Sequence, residues 1–402
     1  MSQNSNRFSA TWSNIGYYYQ LRCALLLLMK SPKDSQISLE SLDDIVFERD
    51  GTPEELIQTK HRITSTASLI DTSTDIWKTL RVWSTEIAEG RFDPSNVTLT
   101  LITTAKAQDG SASSKLRPKE SGMRNTEEAL AIFCRIASED NGQTNKPGYE
   151  AFLKIGDEKQ RQLVENIKIV DEFPLINDLK RELEAQLKLV VPDKFKEPLL
   201  KRLEGWWFDR SVKHLTRQVT GPILFKELSN EIWDLQKQFE EDNLPIDFLQ
   251  AVAPHANQLP PQQQIFIEQL KIISVLDQRI NLAISDYYRA FEQRSKWVRE
   301  DLLLGNELTE YEDKLVREWR ELFYIMQEDL RESPTEDDMK ERGRTLYSDV
   351  ILGENIPIRP RVSEPYVMRG SYHILANKRE VGWHLQFIDR LQRLLSPEQG
   401  VQ

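Results

Sequence analysis

The stretch SLDDIVFERDGTPEELIQTKHR, Ser41 to Arg62, reads as two short strands joined by a turn. Strands favour β-branched and aromatic residues, so the run Gln58-Thr59-Lys60-His61-Arg62 is poor material for a packed sheet. An amide, an ammonium, an imidazole and a guanidinium at one strand tip imply a polar occupant: water, a partner or a substrate. If Ile45, Phe47 and Ile57 share the buried face, only an even pairing sum is allowed. A loop centred near Thr52 then sets Phe47 against Ile57 and Ile45 against Thr59, with Asp44 opposite Lys60 on the other face, beside Gln58. Glu40, just upstream, reaches toward the same point.

Such a group is what phosphodiester hydrolysis needs. Asp44 supplies an anionic ligand for a hard divalent cation such as Mg2+ or Mn2+. The Gln58 side-chain oxygen and the Thr59 carbonyl supply neutral oxygens, and Lys60 lowers the pKa of an attacking water. The same spacing also arises in hairpins where Asp and Lys form an exposed cross-strand pair, so spacing alone leaves both readings open. His61 and Arg62 are candidate phosphate contacts or ordinary surface residues; the planar fork of Arg62 suits phosphate better.

The chain has 402 residues, 39% of them hydrophobic, and a net charge of −11. That length suits two or more domains, and that charge argues against a surface coated with basic residues. Residues 1–175 hold 21 Lys and Arg against 25 Asp and Glu, a net of −4, which leaves −7 for the remainder. Lys106, Lys115, Arg117, Lys119 and Arg124 make one Ser/Gly-rich loop locally positive, as a DNA contact or as a solvated face. The run CALLLLM, Cys23 to Met29, is far short of the roughly 20 apolar residues of a membrane span. Two separated cysteines and no cleavable leader pattern point to a reducing cytoplasm. The five histidines show no zinc spacing with those cysteines, and no GxxxxGK[ST] loop occurs.

Working outward from the hairpin, GYYYQLRCALLLLM at 16–29 is apolar nearly all round, as in a helix buried on most sides. Strands are predicted at 44–49, 56–61 and 97–105, with a helix carrying Trp77 and Trp83 between the last two. Helices follow at 126–138 and 148–165, and IKIVDE at 167–172 closes the sheet. This gives a mixed α/β domain over 1–175, and a mostly helical one over 176–402. In the latter, one apolar pattern runs from Gln262 to Leu304, including Ile265, Ile280, Tyr287 and Val298, and a second over 306–328. Both fit an intrachain hairpin or a docking surface. The tail, 366–395, reads as a strand pair and a terminal helix, with Trp383 and His384 structural. Trp206 and Trp207 read as core or domain-junction packing.

The segments GYYYQLRCALLLL, LESLDDIVFE, ELIQTKHR and WKTLRVW resemble the N-terminal nuclease domain of the Cap-type double-stranded-DNA endonucleases of bacterial anti-phage systems. These belong to the PD-(D/E)XK restriction-endonuclease-like superfamily. The resemblance implies a Mg2+-dependent nuclease whose catalytic set includes Gln20, Asp44, Gln58 and Lys60, with an amide at 58 where the commoner form has an acid; Glu40 joins the candidates by its position just upstream. LEGWWFDRSVKHL, YYRAFEQRSKWVREDLL and MRGSYHILANKREVGWH are similar to the C-terminal region of effector subunits in ABC-three-component systems of the Lamassu type. That similarity implies an SMC-like ATPase and a third small subunit as partners. The nuclease resemblance implies double-stranded DNA as substrate, and because cutting both strands takes two hydrolyses, a homo-oligomer is expected as the active form. A non-catalytic nucleic-acid-binding or scaffold subunit that keeps the fold is the other expectation.

Overall fold

The computed structural model describes residues 4–62, 67–140, 142–330 and 333–395. It divides the chain into two compact units, 1–235 and 236–402, so the boundary expected at 175/176 falls later. The cause is packing: helices beyond 176 lie on the first unit and pair a strand with its sheet.

The first unit begins with α1 (Asn4–Lys30), then β1 (Gln36–Leu39), β2 (Ile45–Arg49), β3 (Thr52–Lys60) and the short β4 (Ser68–Leu69). It continues through α2 (Thr74–Ala88), β5 (Thr98–Thr103), the short β6 (Lys106–Ala107), α3 (Ala112–Lys115), α4 (Thr126–Glu139), α5 (Lys146–Lys154), α6 (Gly156–Asn166) and β7 (Ile167–Val170). Helices α7 (Ile176–Gln186) and α8 (Asp193–Leu215), β8 (Ile223–Leu224) and α9 (Phe225–Lys237) complete it. Six strands form one mixed sheet in the order β7-β5-β3-β2-β1-β8; β3, β5 and β7 run parallel, and the remaining neighbours are antiparallel. Val46, Leu56, Leu99, Leu101, Ile167 and Ile169 face a core with Trp77, Trp83, Phe133 and Phe152 from the helices between β3 and β7. Helix α1 packs on β1 and β3 together with α7 and α8, and burial of Tyr19, Cys23, Leu25 and Leu28 on it bears out the all-round apolar reading.

The hairpin keeps the expected parity but not the expected register. Asp50 and Gly51 both have positive φ, 50° and 76°, as a two-residue type I′ turn requires, so the loop lies at 50–51 and Thr52 is already strand. Arg49 faces Thr52 and Glu48 faces Pro53; the register then shifts, and Phe47 faces Glu55 and Ile45 faces Ile57. Asp44 therefore stands at the level of Gln58, not Lys60. The strand β1, absent from the sequence reading, pairs Ile37 with Phe47.

The second unit is helical: α10 (Ile265–Ile272), α11 (Asp277–Arg299), α12 (Glu307–Asp329), α13 (Glu336–Leu352), α14 (Pro365–Asn377) and α15 (Phe387–Leu395). The pattern read as one helix from Gln262 to Leu304 breaks between α10 and α11, where Ser274 takes a positive φ of 59°. Its apolar face is buried inside the chain. Phe266, Leu270, Ile273, Ile280, Ile284 and Tyr287 join one core with α12 to α15, whereas Val298 is exposed. The strand pair expected in the tail is α14, because YVMRGSYHILAN packs as a helix on α11. A Cβ at Gly370 would stand 2.2 Å from the Asp286 carbonyl oxygen and 2.4 Å from Ala290 Cβ, so this close approach requires glycine. Trp383 and His384 are buried, as the structural reading held.

His373 on α14 is fully buried between the rings of Phe266 and Tyr347, at centroid distances of 5.0 and 6.0 Å, and neither ring nitrogen has a partner. Burial lowers its pKa to about 3. Because the folded pKa lies below the unfolded value, the unfolded chain gains the proton first. Stability is lost as pH falls below about 6.5 toward about 3. At pH 5 the penalty is on the order of 2 kcal/mol. His373→Phe should flatten this acid limb in chemical unfolding at pH 5 and pH 8; an unchanged difference between the two pH values would refute it.

Candidate active site

The polar residues of the opening stretch meet at the carboxyl end of β3. Three elements bring them there: the loop before β2 supplies Asp43 and Asp44, β3 supplies Gln58, Thr59 and Lys60, and α1 supplies Gln20. Gln20, 5% exposed, donates through Nε2 to the Asp44 carbonyl at 2.8 Å and to Glu40 Oε1 at 2.9 Å. Gln20 thus ties α1 to the strand entry, satisfying a polar group that burial would penalise. Glu40 is exposed and takes a positive φ of 49°, which turns the chain from β1 toward Asp43.

Asp44 is half-buried. Its Oδ2 accepts from the Thr59 backbone N–H at 2.8 Å and the Thr59 hydroxyl at 2.9 Å, while Oδ1 is 3.4 Å from Gln58 Nε2. Lys60 Nζ donates to Gln58 Oε1 at 2.6 Å. The amide of Gln58 is therefore directional, with nitrogen toward the carboxylates and oxygen toward the ammonium.

Asp43 is the residue that the sequence reading missed. It is 6% exposed, and its Oδ1 accepts from the Asp44 N–H at 2.9 Å and, through a short bond, from Gln58 Nε2; its Oδ2 accepts from Trp83 Nε1 at 2.6 Å. Burial pushes its pKa up to about 7, against the three hydrogen bonds that favour the charged form. The Asp-Asp doublet was the available signal, but only Asp44 was assigned a role.

For the divalent cation that the resemblance implies, the donors are of the right kind. Carboxylate, amide and carbonyl oxygens suit a hard ion, while the Gln58 amide turns its nitrogen, which donates and cannot ligate, toward Asp43 and Asp44. Asp44, Gln58 and the Thr59 carbonyl would hold such an ion, with Gln58 contributing only through its Lys60-facing oxygen. Among the described residues, no three His, Cys, Asp or Glu side chains gather as a metal-binding group.

The candidate DNA contacts are scattered in role. His61 lies on the α1 side of β3, with its ring 4.5 Å from that of Tyr19, and burial lowers its pKa. Arg62 is exposed and pairs with Asp75 at 2.8 Å. Lys106 is 3.9 Å from Glu172 and Lys115 is 3.0 Å from Glu128, while Lys119 is exposed. Arg117 makes a paired contact with Asp171 at 3.0 and 2.6 Å, and Arg124 donates to the carbonyls of Leu116, Glu165 and Ile167. Both of these arginines hold the loop to β7. Sequence alone cannot separate an arginine that closes backbone from one that meets phosphate.

Residues 266–391 match the family model described as C-terminal domain 7 of the ABC-three component systems, which supports a place for this chain among the components of such systems. No curated protein matches the sequence. Among solved structures, the chain is similar to the Moraxella osloensis Cap4 SAVED/CARF-domain containing receptor, at 14% identity and TM-score 0.33 over 65% of this chain and 60% of that one. It is likewise similar to the Acinetobacter baumannii Cap4 SAVED/CARF-domain containing receptor with the cyclic trinucleotide 3′3′3′-cAAA, at 14% identity and TM-score 0.31 over 64% of this chain and 56% of that one. The chain thus spans less than two thirds of either receptor. No helix of the described residues is long and apolar enough to cross a membrane.

The side chains of Arg117 and Asp171 are 11% and 10% exposed, so truncating one leaves the other charge buried and unpaired. Arg117→Ala should cost about 3 kcal/mol in denaturant unfolding. Unchanged unfolding with weakened DNA binding would return Arg117 to the phosphate-contact role.

Proposed function

We propose that the first unit is a metal-dependent double-stranded-DNA endonuclease of the PD-(D/E)XK type. We further propose that the chain is the effector of an ABC-three-component anti-phage assembly, with an SMC-like ATPase and a third small subunit as partners. The observation that carries the nuclease reading is convergence. Gln20, Asp44 and the Gln58–Lys60 pair come from segments as far as 40 residues apart and meet at the carboxyl end of a parallel strand, the end where open α/β sheets bind ligands. The mixed sheet between two helical layers supports the restriction-endonuclease-like reading, and the match over 266–391 supports the defence setting.

A bound cation would supply Lewis acidity and lower the pKa of a water. The chain's own part is electrostatic. Asp44 carries the negative charge, held by Thr59 so that Oδ1 remains the more open oxygen. Lys60, fixed on Gln58, places an ammonium where it offsets the charge developing on the phosphate. Gln20 keeps Asp44 and Glu40 together. The scaffold reading is favoured by one feature, the amide nitrogen of Gln58 facing the carboxylates, and it predicts DNA binding without cleavage.

Plasmid nicking with Mg2+ or Mn2+ separates the two. Lys60→Ala and Asp44→Ala should each lower cleavage at least about a hundredfold, with thermal midpoints within about 3 °C of the parent for the half-buried Lys60. Cleavage equal to the parent sinks the assignment. Cutting both strands takes two hydrolyses, so a symmetric oligomer pairing two sites is the active form. Light scattering beside the cleavage assay tests this: a strict monomer making double-strand breaks at full rate excludes it.

A further inference from the structure

Four side chains form a directed chain of hydrogen bonds across the site: Trp83 donates to Asp43, Gln58 donates to Asp43, and Lys60 donates to Gln58. We propose that Asp43 is a positioning residue, a buried acceptor that fixes which way the Gln58 amide points and thereby holds Lys60 in place. This rests on the nuclease reading for the importance of Lys60, but not for the linkage itself.

The polarity of the chain follows from its two ends. Indole and ammonium nitrogens only donate, so the groups between them must accept from outside and resolve their own contact. Asp43 accepts on both oxygens, one from Trp83 Nε1 at 2.6 Å and the other from Gln58 Nε2 and the Asp44 N–H. An amide donates on one side and accepts on the other, and Gln58 does both, accepting from Lys60 at 2.6 Å. At 6% exposure for both Asp43 and Gln58, water is a poor substitute for either partner.

The linkage also accounts for glutamine at 58. A glutamate there would set a carboxylate against the buried Asp43 and within reach of Asp44, like charges with no donor between them. Asp43 and Gln58 are thus a matched pair, and the match can be reversed. In Asp43→Asn with Gln58→Glu, the asparagine oxygen accepts from Trp83 and its nitrogen donates to the glutamate, whose other oxygen still accepts from Lys60; the Asp44 N–H gives up its acceptor, so the recovery is partial.

The test needs neither DNA nor metal. In EDTA, the rate at which Lys60 reacts with an acylating reagent, read by peptide mass spectrometry on folded protein, reports how firmly its ammonium is held. Asp43→Asn and Gln58→Glu should each lower the thermal midpoint, and Asp43→Asn should speed Lys60 labelling at least about threefold. The double variant should recover at least half of the midpoint lost by the two single changes together. Trp83→Phe, which removes one donor to Asp43 and keeps an aromatic ring, should also speed labelling if Asp43→Asn does not fold. Additive losses in the double variant, or Lys60 labelling at the parent rate in Asp43→Asn and Trp83→Phe, would overturn the proposal. A parent protein that cuts no DNA but shows the coupling defeats only the nuclease reading; one that cuts DNA without the coupling defeats only the positioning role.

Discussion

One extra residue, Glu54, decides which way every side chain of β3 points beyond it. The Asp50-Gly51 turn pairs Arg49 with Thr52 and Glu48 with Pro53. Continued unbroken, that register would set Ile45 opposite Leu56 and move an apolar row to the wrong face. The shift between Phe47 and Glu48 absorbs one residue, and from there Val46 faces Leu56 and Ile45 faces Ile57. Leu56 then joins the Trp77–Trp83 core, with Gln58 and Lys60 following on the same side at two-residue steps. Thr59 and His61 fall on the other side, toward α1, where His61 meets Tyr19. The separation of a Trp83 side from an α1 side in the site is a consequence of that bulge.

The bulge makes a contact that the rest of the unit must then support. It delivers Gln58 to a carboxylate that the α2 core has already enclosed, so Asp43 loses hydration and is compensated only by the indole, the amide and one backbone N–H. Trp83 therefore serves two purposes: its ring fills the core under the sheet, and its nitrogen anchors the polar layer above. On the opposite side Gln20 does the same for α1, with its amide on the Asp44 carbonyl. The two helical layers thus grip the same dipeptide, Asp43-Asp44, from both faces of the sheet.

How much of this was legible follows from the range of each interaction. The all-round apolar α1, the helix with Trp77 and Trp83 and the strand at 167–170 all appeared from local pattern, because burial on known periods leaves a mark on every residue. The parity of the hairpin was also legible, since it depends only on which residues are apolar. Its register was not: the Asp-Gly pair signals a type I′ turn, but the bulge that follows leaves no residue type behind it. Asp43 could not be told from Asp44 for a related reason. Neighbours on a chain differ by which way they face, and that was set by Trp83, 40 residues away. Arg117 and Arg124 look like part of a positive loop in sequence because the Asp171 carboxylate and the Glu165 and Ile167 carbonyls that bind them arrive only with β7.

The second unit shows the same limit on a larger scale. An apolar stripe on a helix states that it needs a partner but not whose, since water exclusion is non-directional and identical for a neighbour in the same chain or another. What settles ownership here is shape. Gly370 lets α14 approach the backbone of α11 until the Asp286 carbonyl lies within reach of a missing Cβ, a fit that a second chain would have to reproduce residue by residue. Ile280, Ile284 and Tyr287 are consumed by that fit, together with Phe266 and Leu270 from α10. The apolar side chains left exposed on α11, Leu282 and Val298, lie 16 residues apart and outside that core, and scattered singly they define no continuous seam. Of the two uses that the periodicity allows, an intrachain hairpin or a docking surface, the first is the one realised: most of that face is the interior of this unit.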